Sequence, residues 1–179
     1  MDVQIWEKIN FGNINLSLVE NLEGIFYNCR SLAAIDLSNL DISNVRDISS
    51  MFSNCKNLEY INLTKINISS VENMSYFFYY CENLVSIDFS NLDISNVKDI
   101  NYMFYRNKNL KIVNFSNINA TSIENMSSLF YKKKNLENFI SIDLSYSDFS
   151  KVKDISYFQQ KIYLFLLNLY IPNFYSWKT

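Results

Sequence analysis

From Leu58 to Cys81 the apolar residues fall at Leu58, Ile61, Leu63, Ile66, Ile68, Val71, Met74, Phe77, Phe78 and Cys81, with mostly polar residues between them. The first five follow the spacing of a short strand and a turn. The last five recur at intervals of three and four, the spacing of one buried helix face. One strand followed by one helix is therefore the expected unit. The same pattern returns at 32–55 and 84–107, and copies in register start near Trp6, Leu32, Leu58, Leu84, Leu110 and Leu136, a period of 26 residues. The sixth copy carries three extra residues within 137–141, expected as a bulge or loop. Repetition at this period is the mark of a repeat architecture.

Within one copy the pattern predicts a strand over 34–37, a turn through 38–42 and a helix over about 44–56. Ser17, Ser43, Ser69, Ser95, Thr121 and Ser150 stand in one column just before the periodic run, where a hydroxyl can accept from the unpaired amides of a first helical turn. Glu20, Glu72 and Glu124 follow three residues later, the spacing of a capping box. These hydroxyls read as caps, not nucleophiles. One copy buries too few side chains to offset its own ordering, so the copies must stack and pair their strands into a parallel sheet.

Three polar columns alternate between Asp and Asn from copy to copy: Asp36, Asn62, Asp88, Asn114, Asp143; Asp41, Asn67, Asp93, Asn119, Asp148; and Asp47, Asn73, Asp99, Asn125, Asp154. Carboxylates about 5 Å apart in adjacent copies would repel by roughly 1–3 kcal/mol, and alternation doubles their separation. A fourth column alternates in sign, as Glu20, Arg46, Glu72, Lys98, Glu124 and Lys153.

Composition narrows the function classes. The chain of 179 residues is 49% hydrophobic, enough for one domain with a packed core. A net charge of -2 offers no basic surface for phosphates, which argues against nucleic acid as a partner. With two glycines and one proline, turns that need positive φ are expected to use Asn. There is no histidine, the commonest general base and a common metal ligand. No nucleophile with its base, acid pair or phosphate loop can be assembled, so no enzyme, cofactor or metal is expected; calcium at Asp36 and Asp88 is disfavoured because Gly-rich ligand loops are absent. Cys29, Cys55 and Cys81, an odd number at wide spacing, form no disulfide or zinc pattern and are expected as buried free thiols. The start of the chain shows no secretory signal pattern. The longest apolar run, 162–171, includes Asn168 and is ten residues long, too short to span a bilayer as a helix.

The segment L-x-x-I-x-L-x-x-I-x-I, as in Leu58, Ile61, Leu63, Ile66 and Ile68, resembles a leucine-rich repeat with Ile in place of the usual Asn or Cys. More closely, IDLSNLDISNVRDISSMFSNC, residues 35–55, is similar to the repeat of BspA-type surface proteins and of the related mycoplasma-type surface lipoproteins of unknown function. The likeness covers roughly residues 6–158; Asn107 and Lys133 replace the Cys of the later copies, and Gln159 replaces the helix Phe. The resemblance implies an α/β fold: a right-handed, leucine-rich-repeat-like solenoid of about six strand-turn-helix coils over 1–160, with a parallel sheet on one side. It also implies a cell-surface or extracellular location and a protein ligand, such as a host, matrix or cell-surface protein. The apolar tail, 161–179, is expected to cap the last coil or to be a truncated end.

The expected function is a non-enzymatic, monomeric protein-binding module of adhesion type; the alternative is an intracellular scaffold or purely structural repeat. Two surfaces are candidates. The first is the outward strand face, Ala34, Asp36, Ser38, Tyr60, Asn62, Thr64, Ser86, Asp88, Ser90, Ile112, Asn114 and Ser116, because repeat proteins bind along such extended faces. The second is a tyrosine-rich face on the expected helix side, Tyr27, Tyr76, Tyr79, Tyr102, Tyr105 and Tyr131, tyrosine being favoured at interfaces.

Overall fold

The structure is a computed structural model and describes residues 11–157 apart from 12, 13, 15, 39, 91 and 132–140. The copy start at Trp6, most of the three-residue insertion and the tail at 161–179 lie outside the described residues. Five strands follow in order: β1 Ala34–Asp36, β2 Tyr60–Asn62, β3 Ser86–Asp88, β4 Ile112–Asn114 and β5 Ser141–Asp143. Each buries its middle residue, Ile35, Ile61, Ile87, Val113 or Ile142. Each is ended by its last residue, whose side-chain oxygen accepts the backbone N–H two positions on. Asp36 Oδ1 accepts from Ser38 at 3.0 Å, and Asn62, Asp88, Asn114 and Asp143 do the same. Such a turn offers the backbone an alternative to further ladder bonds, so the strands stop at three residues.

The strands pair in parallel, residue for residue, one repeat apart. β1 pairs with β2, as Ile35 with Ile61, and β3 with β4, as Ile87 with Val113. β4 pairs with β5 as Val113 with Ile142, so the three extra residues are taken up before Ser141 and the register resumes. A second parallel seam runs through single bridges from Asn21 to Asp47, Asn73, Asp99, Asn125 and Asp154. Residues one repeat apart are thus spatial neighbours.

The fold class expected from the sequence needs correction. No helix occurs among the described residues, and the strands fall into two small sheets, β1-β2 and β3-β4-β5, not one continuous sheet. The strand-turn-helix solenoid is therefore not what this chain forms. The stretch read as a helix over about 44–56 is a run of tight turns. Met51, Ser53 and Cys55 donate their amides to carbonyls three residues back, at Ile48, Ser50 and Phe52, whereas Ile48, Ser50, Phe52 and Asn54 donate to Asn73, Ser75, Phe77 and Tyr79 of the next repeat. An α-helix would instead send each amide four residues back. Ser50 and Asn54 have φ of 55° and 63°, and the pairs Tyr76 and Tyr80, and Tyr102 and Arg106, repeat this. A left-handed residue at every fourth position is incompatible with a helix, but it produces the same three-and-four spacing of inward side chains. The apolar pattern could not tell the two apart.

The hydroxyl column is corrected with it. Ser43, Ser69, Ser95, Thr121 and Ser150 are not helix caps: their own amides are accepted by Asp41, Asn67, Asp93, Asn119 and Asp148. Positive φ is also less confined to Asn than composition suggests, since Lys65, Tyr146 and Tyr157 adopt it beside Asn28 and Asn117. In a residue with a Cβ this costs about 1–2 kcal/mol. Stacking offsets part of it at two of these positions, where the Tyr76 and Tyr102 rings lie 4.8 Å apart and 3° from parallel.

The core is one cluster running through every described repeat. Its spine is a file of stacked rings, Phe26, Phe52, Phe78, Phe104 and Phe130, with successive centroids 5.2, 5.8, 5.9 and 5.3 Å apart.

Two expectations follow. Far-UV circular dichroism of the purified chain should lack the paired minima of α-helix, and a strong helical spectrum would return the repeat to its first reading. Phe78→Ala, at a fully buried ring, should lower stability by about 3–5 kcal/mol in urea unfolding.

Candidate interaction surface on the strand face

The outward row is set by the strand alternation and by the turns that end each strand. Tyr60 and Ile112 are 58% and 47% exposed, Ser86 and Asp88 are exposed, and Asn62 and Asn114 are half-buried. In the next row Thr64 is exposed, and Ser38, Ser90 and Ser116 are half-buried. Asp36 is half-buried, accepting from Ser38 and, at 3.0 Å, from Asn62 Nδ2. Ala34 is buried and does not belong to the face. A cleft of about 450 Å³ opens in this face where β2 meets β3; seven of the expected residues line it, Tyr60, Asn62, Thr64, Ser86, Asp88, Ile112 and Asn114, together with Glu59, Ile61, Leu63, Ile87 and Leu92. Periodicity predicts a uniform ribbon and gave no signal for the cleft, nor for Glu59.

The tyrosine face is differently built. Tyr79, Tyr105 and Tyr131 stack in file at 4.9 and 5.4 Å beside the Tyr76 and Tyr102 pair. Arg106 lies over Tyr80 and Tyr105, at 5.2 and 5.7 Å. The rings are half-buried, and their faces are spent on one another; only Tyr27 is largely exposed. This surface covers the turn run, leaving ring edges and hydroxyls outward. Tyr76 and Tyr79 have pKa values pushed up, first by burial and then by neighbouring tyrosines.

The columns carry the electrostatics. Asn73 Nδ2 donates to Asp47 Oδ2 at 3.1 Å and Asn125 Nδ2 to Asp99 Oδ2 at 3.0 Å. In these pairs alternation supplies a donor to the carboxylate as well as separating it from the next. Burial raises the Asp99 pKa, and the Asp154 charge adds to this. In the column of alternating sign, Glu72 lies between Lys98 at 2.5 Å and Arg46 at 3.0 Å, and Glu124 meets Lys153 at 2.8 Å. The pKa of Glu72 is lowered by its hydrogen bonds to Lys98 and then to Arg46. Glu72 and Glu124 thus stand in a ladder between repeats, and with no helix behind them Glu20, Glu72 and Glu124 form no capping boxes.

The three cysteines are free; Cys55 and Cys81 are buried and Cys29 is half-buried. Cys55 Sγ donates to Phe26 O and Cys81 Sγ to Phe52 O, both at 3.1 Å. Burial, with a smaller contribution from Cys29, pushes the Cys55 thiol up to about 12, so it stays protonated and unreactive at neutral pH. Among the described residues no group of three or more His, Cys, Asp or Glu is gathered to hold a metal ion. Among the same residues no helix is long and apolar enough to cross a membrane.

A family model described as a Mycoplasma protein of unknown function, DUF285, matches residues 2–112 and again 81–178. The chain belongs to DUF285. Two overlapping matches are what an internally repeated chain produces, since the same model aligns again several repeats further on. No curated protein and no solved structure matches.

In this DUF285 chain, Asn125→Asp would place a carboxylate between Asp99 and Asp154. Like charges raise the folded-state pKa values of all three. The folded state then takes up protons more readily than the unfolded chain as pH falls, and the penalty disappears below the carboxylate range. The variant should be less stable than the parent by about 1–3 kcal/mol at pH 7, with the gap closing towards pH 4. Urea unfolding at the two pH values checks the sign.

Proposed function

We propose that this chain is a non-enzymatic protein-binding module and that its partner docks on the strand face. The observation that carries the reading is the pairing of two exposed apolar side chains, Tyr60 and Ile112, with a cleft between them rimmed by polar groups. A small apolar centre inside a polar rim is the anatomy of a protein interface. The tyrosine face supports binding less well, because most of its rings are already stacked on one another.

The finer reading is that the chain acts as a monomer displayed at a cell surface, where it engages a host, matrix or cell-surface protein. Its support is the resemblance of residues 35–55 to the repeats of BspA-type surface proteins.

The test is capture of surface-exposed and matrix proteins on the immobilised full chain, followed by affinity measurement with each purified partner. Tyr60→Ala and Ile112→Ala should each weaken a true partner about tenfold, the effect of losing a central anchor, and leave the unfolding midpoint within error. A partner whose affinity ignores both variants, or no extracellular partner beside a specific cytosolic one, overturns the reading in its first or its finer part respectively.

A further inference from the structure

The opening between β2 and β3 is an interruption in an otherwise regular hydrogen-bond pattern. At the junction before it, Leu37 donates its amide to Asn62 O at 2.9 Å and Glu59 donates to Ala33 O at 2.9 Å; at the junction after it, Phe89 donates to Asn114 O and Lys111 to Val85 O, both at 2.8 Å. The equivalents across the opening, Leu63 to Asp88 and Val85 to Glu59, are not made, and the two strands belong to separate sheets. The same two repeats remain joined elsewhere. Met74 and Tyr76 donate to Asp99 and Asn101 at 2.9 Å, and Asn109 donates to Glu82 at 3.2 Å. The stack is therefore hinged shut on the turn side and open on the strand side.

Two facing parallel edges with unused amides and carbonyls form a template for a further strand. Each offers three residues, about 10 Å of edge at about 3.3 Å per residue, which suits a short extended segment. The charge of the lining is one-sided: Glu59 and Asp88 contribute carboxylates, and no Lys or Arg lines the cleft. Asp36 and Asn62 are joined by a side-chain bond at the preceding junction, whereas at this one the Asn precedes the Asp. The β4–β5 junction has the same order and stays paired, so that order permits the opening without compelling it.

We propose that this opening receives an extended segment of a partner protein carrying a lysine or arginine, which pairs through its backbone with the edges of β2 and β3 and places its cation against Glu59 and Asp88. The proposal rests on the strand face being the binding surface and names how that surface recognises its partner. Main-chain pairing supplies affinity in such strand addition, and pockets for alternate side chains supply selectivity.

The experiment is an NMR titration of the isotope-labelled full chain with a blocked hexapeptide of alternating valine and lysine. Two controls accompany it: the same peptide methylated on alternate backbone nitrogens, and a valine-glutamate peptide. The lysine peptide should shift the amides of Ile61, Leu63, Ser86 and Asp88, and neither control should. The double variant Glu59→Gln with Asp88→Asn should weaken binding about tenfold through loss of the charge-assisted contact. That variant should still fold, because Asn already ends the strand at Asn62 and Asn114. Equal binding by the methylated peptide overturns the proposal, as does a Leu63 amide in the free chain as slow to exchange as those of Leu37 and Phe89. If the lysine peptide fails while a captured partner still depends on Tyr60 and Ile112, the surface reading stands and strand addition is excluded. If the peptide binds at β2 and β3 while the captured partner ignores Tyr60 and Ile112, strand addition stands and the wider surface reading is lost.

Discussion

Ile48, Ser50, Phe52 and Asn54 send their amides forward to the next repeat, and their counterparts at Met74, Tyr76, Phe78 and Tyr80 do the same in turn. This alternation of amides, one closing a tight turn and the next reaching across, is what the rest of the fold is fitted to. A buried backbone polar group left unpaired is costly, so once every second amide leaves its own repeat, the next repeat must present a carbonyl at the matching height. That requirement fixes the register. The register in turn aligns Phe26 with Phe52 and Phe78, places Asn73 over Asp47 and sets Glu72 between Arg46 and Lys98. Individual surface ion pairs contribute little to stability; here their use is to disfavour a slip by one residue or one repeat.

The polar columns serve the backbone and the stack at once. Asp47 uses Oδ1 to hold the Ser49 amide at 2.7 Å and Oδ2 to receive Asn73 Nδ2. Asn73 then uses its own Oδ1 on Ser75. An all-Asp column would fill the turn role but set charge against charge in every repeat; alternation keeps both roles. A column of Asn would avoid the charge and lose the strongest acceptors. The polar positions most easily dismissed as solvent-facing are thus half-buried and among those that specify the fold.

Much of this was legible in the residues, and the largest failure has one source. The period, the inward Ile or Val of each strand and the pairing of opposite charges all follow from positions 26 apart. The helix did not follow, because Ile48, Met51, Phe52 and Cys55 have the spacing of a helical face, and a run of turns with a left-handed residue at every fourth position has the same spacing. The distinguishing signal was composition: Ser, Asn and Tyr fill the polar positions of that run where Ala, Glu and Lys would be expected of a helix. Gly24 and Asn28, four apart and both left-handed, were a second signal. The outward rows of the strand face were legible, but the cleft that opens in them was not. Ala34 was misplaced because a small side chain beside Tyr60 across the β1–β2 pair is covered.

The split between β2 and β3 gains its meaning from the regularity around it. In a stack whose every junction were alike, any partner pairing with one strand could pair with all, and the molecule would have no preferred site and every reason to join with copies of itself. Here the paired junctions spend their edge groups internally, and only the interrupted one, among the described residues, holds two strand edges apart within a single cleft. The turn side, which stays joined at Met74 and Tyr76, keeps those edges from drifting, so a bound segment would meet a largely preformed site and lose less to ordering. The proposed selectivity rests on this lapse in repetition, which coincides with the exposed Tyr60 and Ile112 and with the carboxylates of Glu59 and Asp88.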